Sequence, residues 1–280
     1  METEHMTAGA AGWDIVFQNL TAGYGTRAVL SGVNATLPGG KATVILGGSG
    51  CGKSTLLRHI TGLARPIGGK ILIGGHDFFQ LPDRDFRRLR RRMGVLFQDG
   101  ALLGALTLAQ NVALPLTEHL DLPRAAVRRA ALRVLKMVEL DGFADFYPNE
   151  LSGGMRKRAG LARAIITEPR ILLCDEPTSG LDPITAARMD ALLKAMHAAY
   201  PAMTMIIVSH DLASLDTLAD HALVLREGGA IFSGSLEELK AAEDPYLRRF
   251  LRRLPGDGDA LAHTPPDPEV SAALTRWLEQ

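Results

Sequence analysis

The segment GGSGCGKST, Gly47 to Thr55, carries the residue types that bind a phosphate chain. It satisfies the pattern G-x-x-x-x-G-K-[ST] between an apolar run, TVIL, and a helical pattern, STLLRHITG. Closely spaced glycines let backbone N–H groups approach phosphate oxygens, the lysine reaches the β- and γ-phosphates, and the following serine binds Mg²⁺. We therefore predict a nucleotide-binding phosphate loop, made of Gly47, Gly48, Ser49, Gly50, Cys51, Gly52, Lys53, Ser54 and Thr55.

Further ionisable side chains end two apolar runs, ILLCDE with Asp175 and Glu176, and MTMIIVSH with His210. If both runs are parallel strands, these residues emerge at the sheet edge that carries the phosphate loop. Asp175 can then hold the Mg²⁺ shell, while Glu176 can orient or deprotonate a water that attacks the γ-phosphate. His210 can contact the same phosphate and the same water.

A second anion site is predicted at the stretch LSGGMRKRAGLARA, Leu151 to Ala164. A helix that begins Ser-Gly-Gly presents free backbone N–H groups, a hydroxyl and the positive end of its dipole. Ser152, Gly153 and Gly154 are therefore candidate anion ligands, although the chain already has the phosphate loop.

The elements that must position these residues form an α/β pattern. Short, nearly continuous apolar strands alternate with helical segments, which indicates a parallel sheet buried on both faces. Between Gln98 and about Glu168 the pattern becomes wholly helical, which predicts an inserted helical subdomain at about residues 99–168.

The last part of the chain changes character. Ser235 and Glu238 form a capping-box pattern that predicts one helix ending near Leu254. Residues 255–268 have the composition of a flexible linker. Residues 269–280 regain helical spacing, and we predict a docking helix with an apolar face made of Val270, Leu274, Trp277 and Leu278.

Composition and hydropathy argue against several classes of protein. Lys plus Arg and Asp plus Glu both number 31, so the overall charge does not indicate a nucleic-acid binder. Cys51 and Cys174 lie far apart in patterned segments, which favours free thiols and a cytoplasmic location. Residues 1–12 are predicted to be a loose N-terminus, and no apolar run reaches the ~20 residues of a membrane span.

Six ordered motifs carry a family resemblance: GGSGCGKST, VLFQ, LSGGM, ILLCDEP, SGLD and VSH. In this order they resemble ATP-binding cassette (ABC) ATPases, from Trp13 to about Phe250. The resemblance implies a P-loop NTPase core with a mostly parallel sheet, an N-terminal antiparallel β portion and the inserted helical subdomain, and we expect this ATPase domain to occupy residues 13–254. It also implies ATP and Mg²⁺ as ligands.

Residue roles follow from the same resemblance. Tyr24 matches the aromatic residue that stacks on adenine, Gln98 the coupling-loop glutamine, and His210 the switch histidine. Ser179–Asp182 matches the loop that contacts the second subunit, with Asp182 expected at the nucleotide. The implied catalytic residues are Glu176, His210 and Gln98, and the implied metal ligands are Ser54, Gln98 and Asp175.

The resemblance also explains the second anion site. In ABC ATPases two cassettes pair head to tail, so that the Ser-Gly-Gly of each caps the nucleotide bound to the other. Two anion sites per chain then become two composite sites in a symmetric homodimer.

A narrower resemblance is carried by FQDGALL, PLTEHLDLP, DPYLRRFL and ELSGGMRKRAGLARA, where Met155 replaces a common glutamine. These segments are similar to the ATPase subunit of Mla/Mce-type transporters, which move phospholipid or related lipids between membranes. The implied partners are an integral membrane permease, an Mce-domain lipid-binding protein and a small regulatory subunit. The implied location is the cytoplasmic, inner face of the cell membrane.

Three alternatives remain at this point. The ATPase subunit of another importer or exporter would keep every ATP-binding residue and differ in its permease. A soluble cassette protein of DNA repair or translation would usually carry two cassettes or a long coiled coil. A P-loop kinase or GTPase would leave LSGG and His210 unexplained.

Overall fold

The structure is a computed structural model that describes residues 12–254 and 267–278 of the 280-residue chain. The chain divides into two compact units between Leu239 and Lys240. Nearly all of the predicted loose N-terminus and most of the predicted linker lie outside the described residues.

An antiparallel sheet forms from the first strands of the described chain. Its order is β2-β1-β4-β5, in which β1 pairs antiparallel with both β2 and β4. Gly25 has a φ of 57° between β1 and β2, in the left-handed region that glycine adopts without strain. The predicted antiparallel β portion is thereby confirmed. The four strands are β1 (Ile15–Tyr24), β2 (Arg27–Leu37), β4 (Gly68–Ile73) and β5 (His76–Asp77).

A second, mostly parallel sheet has the order β10-β9-β3-β8-β7-β6. Every pairing in it is parallel except that between β9 and β10, which form an antiparallel hairpin at one edge. The five residues of β3 and of β8 are all buried, as expected for strands covered on both faces. The strands are β3 (Ala42–Leu46), β6 (Met93–Leu96), β7 (Ile171–Asp175), β8 (Thr204–Val208), β9 (His221–Arg226) and β10 (Gly229–Ser235).

One hydrophobic core joins both sheets to helix α1 (Lys53–Ile60). Leu56 and Ile60 of α1 are fully buried together with Phe17 of β1 and Ile206 of β8. Burying a large apolar side chain is worth roughly 1.5–3 kcal/mol, so this core fixes the helix that follows the phosphate loop against both sheets.

The segment between β6 and β7 is helical, as predicted. Helix α3 begins with a capping box, because Thr107 Oγ1 accepts from Gln110 N and Gln110 Oε1 accepts from Thr107 N. Asn111 is fully buried, and its amide group bonds the backbone of Leu103, which ties the preceding loop to α3. The helices are α3 (Leu108–His119), α4 (Arg124–Met137) and α5 (Gly153–Ile165), with short 3₁₀ helices at Asp141–Phe143 and Pro148–Glu150.

The predicted single helix from Ser235 to about Leu254 is wrong. The capping box does form, but α8 ends at Ala241, and a separate helix starts at Pro245. Proline cannot donate the N–H that would continue a helix, and Asp244 instead caps the second one. The remaining helices are α2 (Asp83–Arg90), α6 (Pro183–Ala199), α7 (Leu212–Leu218), α8 (Leu236–Ala241), α9 (Pro245–Leu251) and α10 (Pro268–Leu278).

Helix α10 occupies most of the predicted docking segment. Asp267 accepts from the N–H groups of Glu269 and Val270 at its start. The four apolar residues that the spacing placed on one face are all exposed, with Trp277 at 69%. No helix within residues 12–254 and 267–278 combines the length and the apolar character that crossing a membrane requires.

Candidate functional site

The strand order brings the candidate residues to one edge of the parallel sheet. Strands β3, β8, β7 and β6 are consecutive neighbours, and Val208 of β8 pairs with Ile45 of β3 and with Asp175 of β7. Because all four strands run parallel, the segments that follow them emerge at the same edge. The phosphate loop follows β3, His210 follows β8 and Gln98 follows β6, while Asp175 ends β7 and Glu176 follows it.

Glycine is required at two positions of the phosphate loop. Gly47 has a φ of 150°, and a Cβ there would collide with the backbone oxygen of Leu225. Gly52 has a φ of 107° at the N-cap of α1, and a Cβ would lie 2.5 Å from Leu30 Cδ2. The loop can therefore keep this shape beside β9 and β2 only with glycine at these positions.

Lys53 lies back across the phosphate loop. Its ammonium donates to the carbonyl oxygens of Gly47, at 2.8 Å, and Gly48, at 3.0 Å, and the residue is only 9% exposed. The cation is thus held at the N-terminus of α1, where free N–H groups and the helix dipole also favour an anion. Ser54, on the first turn of α1, is exposed and can offer its hydroxyl to a ligand.

Asp175 offers an unsatisfied oxygen for a metal ion. Its Oδ1 is buried and has no hydrogen-bond partner among the described residues. Burial raises the pKa of this carboxyl, as does the charge of Glu176, against the opposing effect of Lys53 and Arg58. A divalent cation would satisfy this oxygen, and the nearby donor types, carboxylate, hydroxyl and amide, are the hard oxygens that Mg²⁺ prefers.

The described residues hold no cluster of three or more His, Cys, Asp or Glu side chains able to bind a metal. A cation at Asp175 would therefore need ligands of other types, such as the Ser54 hydroxyl and the Gln98 amide, together with phosphate oxygens and water. Gln98 follows β6 at the same sheet edge and is exposed.

Glu176 and His210 are in direct contact. His210 Nδ1 and Glu176 Oε2 are 2.7 Å apart, and the Glu176 side chain is only 14% exposed. Glu176 has a φ of 50°, while its N–H donates to the carbonyl oxygen of Val208. A carboxylate held in this way by an imidazole can orient a water or accept its proton.

Tyr24 is half exposed at the end of β1. The hydroxyl of Thr55 donates to the Tyr24 hydroxyl oxygen at 3.4 Å, and the guanidinium carbon of Arg58 lies 5.7 Å from the ring centroid. An aromatic ring beside the phosphate loop can stack on a nucleotide base. Sequence analysis missed Arg58, because the contact joins α1 to a residue on a distant strand and no local pattern indicates it.

The second candidate anion site lies at the start of α5. Ser152 caps this helix, its Oγ accepting from Met155 N, and both Ser152 and Gly153 are exposed. Gly154 is buried, and a Cβ there would lie 2.6 Å from Thr185 Cγ2. The start of α5 therefore packs against the start of α6 in the same chain.

Asp182 caps α6. Its Oδ1 accepts from Ile184 N at 3.1 Å and from Thr185 N at 3.0 Å. Hydrogen bonds from Thr185 hold the pKa of the exposed Asp182 carboxyl below its ordinary value. This cap fixes the end of the loop Ser179–Asp182 next to the α5 N-terminus.

Lys157 was also missed by sequence analysis. It sits within the basic run MRKR, yet it is only 5% exposed and bonds the turn that follows β7. Burial lowers its pKa, whereas the charges of Asp99, Glu176 and Asp175 act in the opposite direction. The only sequence signal is the phase of α5, which places residue 157 on the same side as Gly154 and Leu161.

Comparisons with known proteins agree with this geometry. The family profile described as "ABC transporter" matches residues 30–179. A "Probable ribonucleotide transport ATP-binding protein mkl" of Mycobacterium tuberculosis is 40% identical, covering 86% of this chain and 67% of its own. The "Intermembrane phospholipid transport system ATP-binding protein MlaF" of Haemophilus influenzae is 40% identical over 85% of this chain and 90% of its own. The protein of the same name from Escherichia coli K12 is 40% identical over 81% of this chain and 84% of its own.

Solved structures give the same result. The dimeric cassette MJ0796, in a post-hydrolysis state bound to ADP and Pi, superposes with a TM-score of 0.72 at 33% identity, covering 79% of this chain and 98% of its own. The cbiO1 subunit of the cbiONQ transporter from Clostridium perfringens gives a TM-score of 0.74 at 30% identity, covering 86% of this chain and 96% of its own.

Proposed function

The chain belongs to the ABC transporter family, and from this premise we propose that it powers a transporter of phospholipid or related lipids between membranes. Membership makes it an ATPase, which binds ATP and hydrolyses it to ADP and phosphate. The observation that carries the lipid assignment is the 40% identity to phospholipid-transport ATP-binding proteins, which extends over 85% of this chain in one case. The equally similar relative named for ribonucleotide transport favours a second candidate, the same ATPase with another cargo.

Each part of ATP can be assigned to residues at the sheet edge. We assign the adenine to the Tyr24 ring and the phosphates to the phosphate loop, where Lys53 supplies positive charge. Mg²⁺ would be held by Ser54, Asp175 and Gln98, and when bound it neutralises charge on the β- and γ-phosphates. The orphaned oxygen of Asp175 supports this assignment.

Hydrolysis requires a base at the γ-phosphate. Glu176 fits this role because its carboxylate is mostly buried and is fixed at 2.7 Å by the imidazole of His210. It would accept the proton of the attacking water, while His210 keeps the carboxylate in orientation and can contact the γ-phosphate. Gln98, exposed at the same sheet edge, would help to position this water.

The exposed N-terminus of α5 supports a homodimer as the active form. Ser152 and Gly153 are free to cap a nucleotide bound by a second copy, whose loop Ser179–Asp182 would lie at the same interface. The related cassette MJ0796 is dimeric. Each composite site would then combine the phosphate loop of one copy with Ser152, Gly153 and Gly154 of the other.

A groove suited to a membrane partner lies where the inserted helical subdomain meets α2 and β6. It has a volume of about 1160 Å³ and runs between α2, β6 and α3, with Arg87, Leu116 and Arg163 among its lining residues. Arg163 donates to the carbonyl oxygens of Gly100 and Ala101, in the loop that follows Gln98. We assign this groove to a cytoplasmic segment of an integral membrane permease, because docking there would act directly on the Gln98 loop.

We further propose that the chain lies peripherally on the cytoplasmic face of the inner membrane, with an Mce-domain lipid-binding protein and a small regulatory subunit as further partners. The test is purification of the tagged chain from detergent-solubilised membranes, followed by identification of the proteins that copurify. A permease with an Mce-domain protein is expected, and it should transfer fluorescent phospholipid between vesicles with ATP. A permease for ribonucleotides would exclude the lipid assignment and leave the ATPase assignment intact.

The exposed apolar face of α10 supports a role in assembly. An isolated helix of this length is only marginally stable in water, so we propose that the tail docks on the opposite subunit. Deleting residues 255–280 should weaken dimerisation at least tenfold by analytical ultracentrifugation, because the apolar face is removed. ATP affinity per chain should stay within about twofold, since no proposed ATP ligand is deleted. Unchanged assembly would contradict the docking role, as would fully water-exposed Trp277 fluorescence in the intact complex.

A further inference from the structure

A buried lysine connects the second anion site to the proposed base. Lys157 lies on α5, five residues after Ser152, and is 5% exposed. Its ammonium donates to the carbonyl oxygen of Glu176 at 2.9 Å, to that of Ser179 at 2.6 Å and to Ser179 Oγ at 2.9 Å. A charge taken out of water is tolerated only when acceptors surround it, and here all three acceptors belong to one turn.

That turn holds Glu176 in a backbone conformation that a non-glycine residue rarely adopts. With a φ of 50°, Glu176 lies in the left-handed region, which persists only where surrounding contacts enforce it. Its carbonyl oxygen accepts from Ser179 N at 3.2 Å, from Ser179 Oγ at 3.0 Å and from Lys157. Lys157 is the member of this set that comes from outside the turn.

We propose that Lys157 is a positioning residue for hydrolysis, which holds the Glu176 turn in the geometry that presents the carboxylate to water. The proposal rests on the role of Glu176 as the base. Ser152 caps α5 and Lys157 lies on the same helix, so the helix that begins at the second anion site also carries the ammonium that bonds the Glu176 turn.

Lys157→Met tests the proposal, because methionine has a similar shape and no N–H donor. We expect kcat to fall about tenfold or more, as small misplacements of catalytic groups do. Equilibrium affinity for a fluorescent ATP analogue should stay within about twofold, because Lys157 does not contact the phosphate loop. Lys136→Met is the matched control, since Lys136 is exposed on α4 of the same helical subdomain. This variant should hydrolyse ATP like the unmodified protein.

A double-mutant cycle separates positioning from a general structural effect. In the Glu176→Gln background the base is already lost, so adding Lys157→Met should change the residual single-turnover rate by less than about twofold. Lys157→Leu gives a second variant without a donor in case Lys157→Met does not fold, and it should also lower kcat about tenfold or more with unchanged ATP affinity.

An unchanged kcat in Lys157→Met, or in Lys157→Leu if the first variant does not fold, would overturn the positioning role. The role would also be overturned if Lys157→Met lowered the hydrolysis rate by the same factor in the unmodified protein and in the Glu176→Gln background. If Glu176→Gln itself hydrolyses ATP normally, the proposed role of Glu176 fails first, which distinguishes the two failures.

Discussion

Glu176→Gln is expected to remove nearly all ATP hydrolysis while ATP still binds. Glutamine has almost the same shape, so the phosphate loop and Lys53 are unchanged, but an amide cannot accept the proton of the attacking water. Loss of a general base typically costs 10²–10⁴-fold, and we expect a decrease of roughly 10³-fold in kcat. Phosphate release under saturating ATP measures this directly.

The same substitution should stabilise the ATP-bound dimer, because the nucleotide that joins the two copies is no longer consumed. Size-exclusion chromatography with Mg-ATP should show a dimer that ADP does not support. Glu237→Gln, an exposed carboxylate on α8, is the matched control and should retain normal turnover. Turnover near normal in Glu176→Gln would exclude this residue as the base.

Lys53→Ala should act one step earlier, on nucleotide binding itself. The substitution removes the cation that now bonds Gly47 and Gly48 and would contact the β- and γ-phosphates. Charge-assisted hydrogen bonds contribute roughly 1.5–3 kcal/mol, so we expect ATP affinity to fall about ten- to hundredfold. Titration with a fluorescent ATP analogue measures the loss, and Lys41→Ala, exposed just before β3, should show none.

A mixing experiment extends this prediction to the dimer. Ser152→Arg should block the second anion site and leave the phosphate loop intact, the opposite of Lys53→Ala. A heterodimer of the two variants keeps one complete composite site, so random mixing should restore about a quarter of normal hydrolysis. Two inactive variants that remain inactive when mixed would argue against head-to-tail pairing.

Much of the fold could be predicted because it is encoded in local chemistry. The continuous apolar runs indicate strands covered on both faces, as β3 and β8 are, and the glycines before Lys53 suit a loop whose φ angles reach 150°. The capping box at Ser235 was also correct. The helix that follows it ends earlier than its apolar spacing predicts, because Asp244 and Pro245 start a new helix.

The chemistry of the site can be read from the amino-acid sequence, because the phosphate loop, the carboxylate pair and the Ser-Gly-Gly helix start are each contiguous in the chain. Which of these segments come into contact depends on how the strands and helices pack. Glu176 bonds His210 across 34 positions because β7 and β8 are neighbours, and strand order depends on the packing of the whole sheet. Lys157 likewise becomes a buried link, and not one more surface cation, because α5 packs with that face toward the turn after β7, and no residue in the run MRKR specifies that contact.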